Sequence, residues 1–131
     1  MSDRVLPFLM FDGHAEEAMR FYVSLFPGAE VIEIARYGKG AAGAEGRVSR
    51  ARFSVGGQII QCTDGTTSHG FTFTPATSLF VQCRSKERMY ILVEKLSDGG
   101  KVFMPLADYG FSKLFAWVSD RFGVSWQLSL G

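Results

Sequence analysis

The feature that most constrains the fold of this chain is a short pattern that occurs twice. The segments LFPGAEV (25–31) and LSDGGKV (96–102) each join a predicted helix to a predicted strand. The segments GQIIQ (57–61) and GVSWQ (123–127) each place a glycine four residues before a glutamine, in the last predicted strand of each half. A repeat at fixed spacing predicts two copies of one supersecondary unit, with the two glutamines as structural equivalents.

Hydrophobic periodicity predicts the same order of elements, β-α-β-β-β, in both halves. In the first half, apolar residues at helical spacing follow Asp12 and Gly13, which are predicted to cap the helix. Gly56 and Gly57 predict a tight hairpin turn. The predicted elements are strands over 4–11, 29–37, 47–55 and 58–63 and a helix over 14–26.

In the second half, Ser85 is the predicted N-cap of a helix that ends at Asp98. The last strand alternates polar and apolar residues, as a half-buried strand does, and this alternation puts Ser125, Gln127 and Ser129 on one face. The predicted strands cover 77–83, 101–105, 112–119 and 123–130.

Composition excludes several classes of partner. The formal net charge is +1 and no basic run is present, so we expect no nucleic-acid partner. No apolar run approaches the roughly 20 residues of a membrane span, and the N-terminal segment lacks the basic start of a signal peptide. Cys62 and Cys83 are expected to be free thiols, and the chain is expected to be cytoplasmic, without a membrane partner.

Four segments carry a resemblance to a known family: PFLMFDGHAEEAMRFYVSLFPGAEV (7–31), GGQIIQCTDG (56–65), SLFVQC (78–83) and VFMPLADYGFSKLFAWVSDRFGVSWQL (102–128). The chain resembles the vicinal oxygen chelate superfamily of glyoxalase, bleomycin resistance proteins and extradiol dioxygenases. In particular it resembles the PhnB-like branch, which is often described as 3-demethylubiquinone-9 3-methyltransferase-like.

The resemblance implies an α+β fold in which two β-α-β-β-β half-modules form a pair of glyoxalase-like half-barrels. It implies one domain over 1–131, with halves 1–66 and 77–131 joined by a short connector. It also implies a homodimer and a ligand site on the concave side of the strands.

Metal-dependent members of the superfamily carry His or Glu on the first and last strands of each half. In this chain those places fall near Pro7, Gln61, Ser78 and Gln127. Neutral amides are weak ligands for transition metals, which prefer imidazole, thiolate or carboxylate donors. We therefore predict no metal and no cofactor, and we interpret the two glutamines as hydrogen-bonding groups.

The predicted function is metal-independent binding of a small polar or aromatic molecule in the concave cavity. Phe8, Phe80, Phe115, Trp117 and Trp126 are mostly expected in the core, but such cavities are largely apolar and some of these aromatics must line this one. The predicted ligand-binding residues are Phe8, Gln61, Phe80, Trp117 and Gln127.

Enzymatic activity stays open at this level. A lyase or isomerase of the same fold is one alternative, although no general acid or base is evident beside the glutamines. A methyltransferase is disfavoured, because no glycine-rich turn from strand to helix is present to hold a nucleotide-like cofactor. His14 and His69 are expected at the surface, Asp108 and Tyr109 in a turn, and Arg36 and Arg52 at solvated strand ends.

Overall fold

A computed structural model of the protein describes residues 3–131 and shows two compact units, which divide between Thr72 and Phe73. Each unit contains one helix and a four-stranded sheet in the order β-α-β-β-β, so the predicted α+β fold class is confirmed. Within the described part of the chain, no helix is long and apolar enough to cross a membrane.

The N-terminal unit is built from β1 (Phe8–Phe11), α1 (Ala15–Leu25), β2 (Glu30–Arg36), β3 (Val48–Val55) and β4 (Gln58–Asp64). The strand order in the sheet is β1-β4-β3-β2. Only the β1–β4 pair is parallel, because the helix connection between β1 and β2 returns the chain to the far edge. The hairpin between β3 and β4 turns at Gly56 and Gly57 with φ of +55° and +84°, values that favour glycine.

One face of this sheet packs on α1 and the other is open. On β4, Ile60, Cys62 and Asp64 are buried, while Gln61 and Thr63 between them are half-buried. The Asp64 side chain contacts the start of α1, which identifies the buried set as the helix side. Gln61 therefore lies on the open face, the name used below for the face turned away from the helix.

The start of α1 differs from the prediction. The N-cap residue is His14, whose side chain makes no capping bond, and neither Asp12 nor Gly13 caps the helix. Instead Asp64, which is 2% exposed, accepts the backbone N–H of Ala15 at 3.0 Å and that of Val48 at 3.1 Å. A carboxylate from the last strand thus replaces the local cap.

The C-terminal unit repeats this plan with β5 (Ser78–Cys83), α2 (Lys86–Ser97), β6 (Lys101–Ala107), β7 (Leu114–Ser119) and β8 (Ser125–Leu130). Its strand order is β5-β8-β7-β6, with β5 and β8 parallel. The first strand of each unit is thus hydrogen-bonded to the last strand of that unit.

The predicted cap of α2 is confirmed, since Ser85 Oγ accepts the backbone N–H of Arg88 at 3.2 Å. Trp126 and Leu128 on β8 are buried, and Gln127 between them lies on the open face. The buried Asp120 fixes the β7–β8 turn by accepting the N–H of Val124 and the indole N–H of Trp126.

Candidate ligand-binding site

A row of four side chains crosses the open face of the C-terminal unit. Phe80 on β5 lies opposite Gln127 on β8, Gln127 lies opposite Trp117 on β7, and Trp117 lies opposite Met104 on β6. Residues directly opposite in neighbouring strands place their Cβ atoms close together on one face. The row therefore sets one amide between two aromatic rings.

This row forms the floor of a concavity of about 440 Å³, a size within the range of small-molecule sites. None of its lining residues carries a charge. They are Phe80, Met104, Phe111, Phe115, Trp117, Gln127 and Ser129.

Beside the concavity, a chain of hydrogen bonds connects the polar groups of this face. The indole N–H of Trp117 donates to Ser125 Oγ at 2.9 Å, and Ser125 shares a 2.6 Å bond with Ser78. Gln127 Nε2 donates to Ser78 Oγ at 3.2 Å, which leaves Gln127 Oε1 as an acceptor with no partner in the part of the chain that the structure describes. Because the Ser78 hydroxyl can also donate, the Gln127 amide can rotate by about 180° so that Oε1 accepts from Ser78 and Nε2 becomes available to a ligand.

The N-terminal unit has the matching row on its own open face, with different chemistry. Phe8 on β1 lies opposite Gln61 on β4, Gln61 opposite Arg52 on β3, and Arg52 opposite Glu33 on β2. Arg52 Nε lies 3.3 Å from Gln61 Oε1 and 3.4 Å from Glu33 Oε1. Where the C-terminal row carries tryptophan and methionine, this row carries an ion pair.

The structure brings three of the five predicted residues together, since Phe80, Trp117 and Gln127 all line the concavity. Phe8 and Gln61 are neighbours in the equivalent row of the N-terminal unit. Gln61 and Gln127 occupy the same place in their units, each opposite a phenylalanine of the first strand.

The expectation that most large aromatics lie in the core is wrong for Phe8 and Phe80, which are 59% and 57% exposed. It is correct for Trp126, which is 1% exposed. The cause is position, because Phe8 and Phe80 project from edge strands on the open face, whereas Trp126 projects toward the helix side.

Sequence reasoning missed four lining residues. Phe115 and Ser129 alternate with Trp117 and Gln127 along their strands, so the period of two that singled out Gln127 could have identified them. Met104 and Phe111 gave no such signal. The β6–β7 register is irregular on both sides of Met104. Phe111 lies outside any strand and contacts Phe115 edge to face, with 4.9 Å between the ring centroids.

Arg36 is the last residue of β2 and is exposed, as the sequence predicts, whereas Arg52 lies inside β3 and is half-buried. Arg36 donates to both carboxylate oxygens of Glu16 on α1, at 2.6 and 2.9 Å. This guanidinium is the main reason that the pKa of Glu16 falls to about 2, and Arg20 lowers the pKa further. Arg52 lies in the middle of the open-face row.

The cysteines and His69 provide neither a reactive thiolate nor a metal-binding cluster at the open faces. Burial raises the pKa of the Cys62 thiol to about 12 and also raises the pKa of Cys83, so both favour the unreactive thiol form. His69 is exposed and stacks on Phe71 at 5.3 Å. Among residues 3–131, no group of three or more His, Cys, Asp or Glu side chains is placed to hold a metal ion.

Comparisons with known proteins agree on one family. The family profile described as 3-demethylubiquinone-9 3-methyltransferase matches residues 3–129. The chain is 47% identical to the PhnB protein of Bacillus cereus, whose structure carries the same methyltransferase description; the match covers 98% of this chain and all of that one, with a TM-score of 0.95. No protein with a curated description is significantly similar in sequence.

More distant structures share the fold alone. A glyoxylase/bleomycin resistance protein/dioxygenase domain from Frankia is 15% identical, with a TM-score of 0.70 over 100% of this chain and 93% of that one. The fosfomycin resistance protein FosX of Listeria monocytogenes, in complex with Mn(II) and a dihydroxypropylphosphonic acid, is 13% identical, with a TM-score of 0.64 over 100% and 94% of the two chains.

Proposed function

The chain belongs to the family described as 3-demethylubiquinone-9 3-methyltransferase, within the glyoxalase/bleomycin resistance/dioxygenase superfamily, and from that premise we propose that it binds a small, uncharged aromatic molecule without a metal. The ligand lies on the open face of the C-terminal unit. Phe80 and Trp117 contact its ring, and Gln127 bonds its polar group.

The observation that carries this proposal is the composition of the concavity. Aromatic side chains and Met104 supply most of its lining, while Gln127 and Ser129 supply the polar atoms. A few hydrogen-bonding groups in an apolar lining are typical of small-molecule sites. Because no lining residue is charged, a charged ligand would lose hydration on this face without gaining an ionic partner.

Metal independence follows from the donors available. The resemblance puts the places of the superfamily's metal ligands near Pro7, Gln61, Ser78 and Gln127, and in the sheets Gln61 lies opposite Phe8 and Gln127 opposite Phe80. Phenylalanine offers no donor atom and an amide oxygen is a weak donor, so these residues do not fit a zinc, iron or nickel ion.

Binding is favoured over catalysis for a similar reason. A lyase or isomerase needs a general acid or base whose pKa lies near the working pH, and the residues that line the concavity include no titratable carboxyl, imidazole or amine group. A methyltransferase, as the family description suggests, needs a site for the methyl donor. Failure of the protein to bind S-adenosylmethionine would remove that alternative.

Two further properties belong to the proposal. The resemblance to the superfamily supports a homodimer. Free cysteines at positions 62 and 83 are compatible with a reducing, cytoplasmic location.

The test is a thermal-shift panel of phenol, benzamide and quinoline, with cyclohexanol as the control that lacks an aromatic ring. We expect at least one aromatic compound to raise the melting temperature, and cyclohexanol to leave it unchanged, because ring contacts with Trp117 and Phe80 require a flat apolar surface. Replacement Trp117→Leu should abolish the shift. Absence of any shift across the panel, or a shift that survives Trp117→Leu, would contradict the proposal.

A further inference from the structure

The open face of the N-terminal unit presents an excess of hydrogen-bond donors. A guanidinium has five N–H groups and no acceptor. Arg52 Nε donates to Gln61 and lies near Glu33, while its two terminal nitrogens make no hydrogen bond to another group among residues 3–131. The Arg52 side chain is 36% exposed, so these terminal N–H groups can be reached from solvent.

Arg52 also fixes the orientation of Gln61. Because Arg52 can only donate, the amide oxygen of Gln61 must be the atom that faces it, as the 3.3 Å contact with Oε1 shows. The Gln61 Nε2 group is therefore left as a further donor. Gln127, by contrast, faces a hydroxyl, which leaves its amide free to turn.

A second arginine lies on the same face. Arg50 is two residues before Arg52 on β3, a spacing that returns the side chain to the same side of the strand. Arg50 is exposed and makes no hydrogen bond or ion pair within the described residues.

The acids nearby leave this donor set available. Arg52 Nε lies 3.4 Å from Glu33 Oε1, and the Glu33 side chain is 54% exposed, so the pair is a weak surface contact. Glu30, the other acid of β2 on this face, lies opposite Ser54, two residues beyond Arg52 on β3. At the other end of the row, Phe8 adds an exposed aromatic ring next to Gln61.

We propose that this face is a second binding site, which takes an organic anion, a carboxylate or phosphate ester on an apolar body. The terminal nitrogens of Arg52 bind two oxygens of the anion in the fork geometry that guanidinium favours. Gln61 Nε2 and Arg50 supply further donors, and the apolar body lies against Phe8. The site uses residues of the N-terminal unit only.

The test is calorimetric titration of the full chain with benzoate and phenyl phosphate, with benzyl alcohol as the uncharged control. We expect both anions to bind and benzyl alcohol not to bind at this site. Replacement Arg52→Gln should weaken anion binding about tenfold or more, since hydrogen bonds to charged groups are the strong ones. Arg84→Gln, an exposed arginine on the other unit, is the matched control and should leave the affinity unchanged.

Two more variants keep the test decisive if Arg52→Gln folds poorly. Glu33→Gln removes the competing carboxylate and should strengthen anion binding several-fold, a gain that damage to the fold would not produce. Arg52→Lys keeps the charge but loses the fork, and should bind with intermediate affinity. No binding of either anion, equal binding by wild type and Arg52→Gln, or weaker binding by Glu33→Gln would overturn the proposal.

Discussion

The two units build the same sheet and cover its open face with different chemistry. In each, a phenylalanine of the first strand lies opposite a glutamine of the last strand. The next strand then carries Arg52 in the N-terminal unit and Trp117 in the C-terminal unit. The neighbour of the glutamine is thus a guanidinium, which can only donate hydrogen bonds, in the N-terminal unit. In the C-terminal unit it is an indole, whose N–H donates to Ser125.

A repeated fold can therefore keep a glutamine at the same position in both units, while the neighbouring residues determine which group of its amide is available to a ligand. Gln61 is held by Arg52 and presents a donor, whereas Gln127 rests on Ser78 and can present either group. The same residue type, in the same register, therefore suits an anion in one unit and an uncharged aromatic molecule in the other.

The largest expected difference between the units concerns how their helices begin. Asp64→Ala should lower the free energy of unfolding by about 3 kcal/mol, because it leaves the buried N–H groups of Ala15 and Val48 without their carboxylate partner. Ser85→Ala, which removes the local cap of α2, should cost about 1 kcal/mol. Urea unfolding of the two variants measures both values, and equal losses would break the comparison.

The next largest effect should be a difference in ligand affinity between two glutamine variants of the C-terminal unit. Gln127→Leu should weaken binding of an uncharged aromatic ligand about tenfold, the effect of one lost hydrogen bond. Gln82→Leu is the matched control, because Gln82 is an exposed glutamine of the same unit outside the residues that line the concavity. Titration calorimetry with the best compound of the panel measures the difference, and a similar loss in both variants would argue against a role for Gln127.

Acid should affect the N-terminal unit through Glu16. Arg36 lowers the pKa of Glu16 to about 2 from an ordinary value of 4.5, so the ionised group stabilises the fold above pH 4.5 and this stabilisation is lost as pH falls toward 2. The pair is partly exposed, so we expect an effect below about 1 kcal/mol. As the pH is lowered from 4.5 to 2, the free energy of unfolding should decrease less for Glu16→Gln than for wild type, as measured by urea unfolding at each pH. An identical decrease in both proteins would show that the ion pair contributes nothing.

Removal of metal should have the smallest effect. Prolonged dialysis against a chelator should leave both aromatic and anion affinities unchanged, because neither open-face row offers a set of imidazole, thiolate and carboxylate donors. Calorimetry before and after dialysis checks this, with added zinc and manganese as the reverse experiment. Loss of binding on chelation, restored by one of these ions, would contradict the proposed mode of binding.

The sequence predicted what local spacing controls. The order of elements, the equivalence of the two glutamines in the sheets and the Ser85 cap all follow from residues within a few positions of one another. The cap of α1 could not be predicted in this way, since Asp64 and Ala15 are 49 residues apart and meet only when β4 pairs beside β1.

The residues that surround the two glutamines could not be predicted from the sequence either, because they depend on the pairing register between neighbouring strands. A bulge between Val31 and Glu33 decides that Glu33, and not Ile32, lies opposite Arg52. The irregular pairing around Met104 likewise sets which β6 residue lies opposite Trp117 in the floor of the concavity. Hydrophobic periodicity locates strands but carries no information about where an extra residue shifts their pairing.

The most direct test of the account uses the two indole N–H signals of ¹⁵N-labelled, chelator-treated protein, assigned with Trp117→Phe. Trp117 lines the concavity, whereas Trp126 is buried and bonded to Asp120. We expect an uncharged aromatic ligand to shift the Trp117 signal in a saturable way and to leave the Trp126 signal in place. A bound ligand that leaves the Trp117 signal unmoved, or that shifts it only after a metal ion is added, would contradict the account.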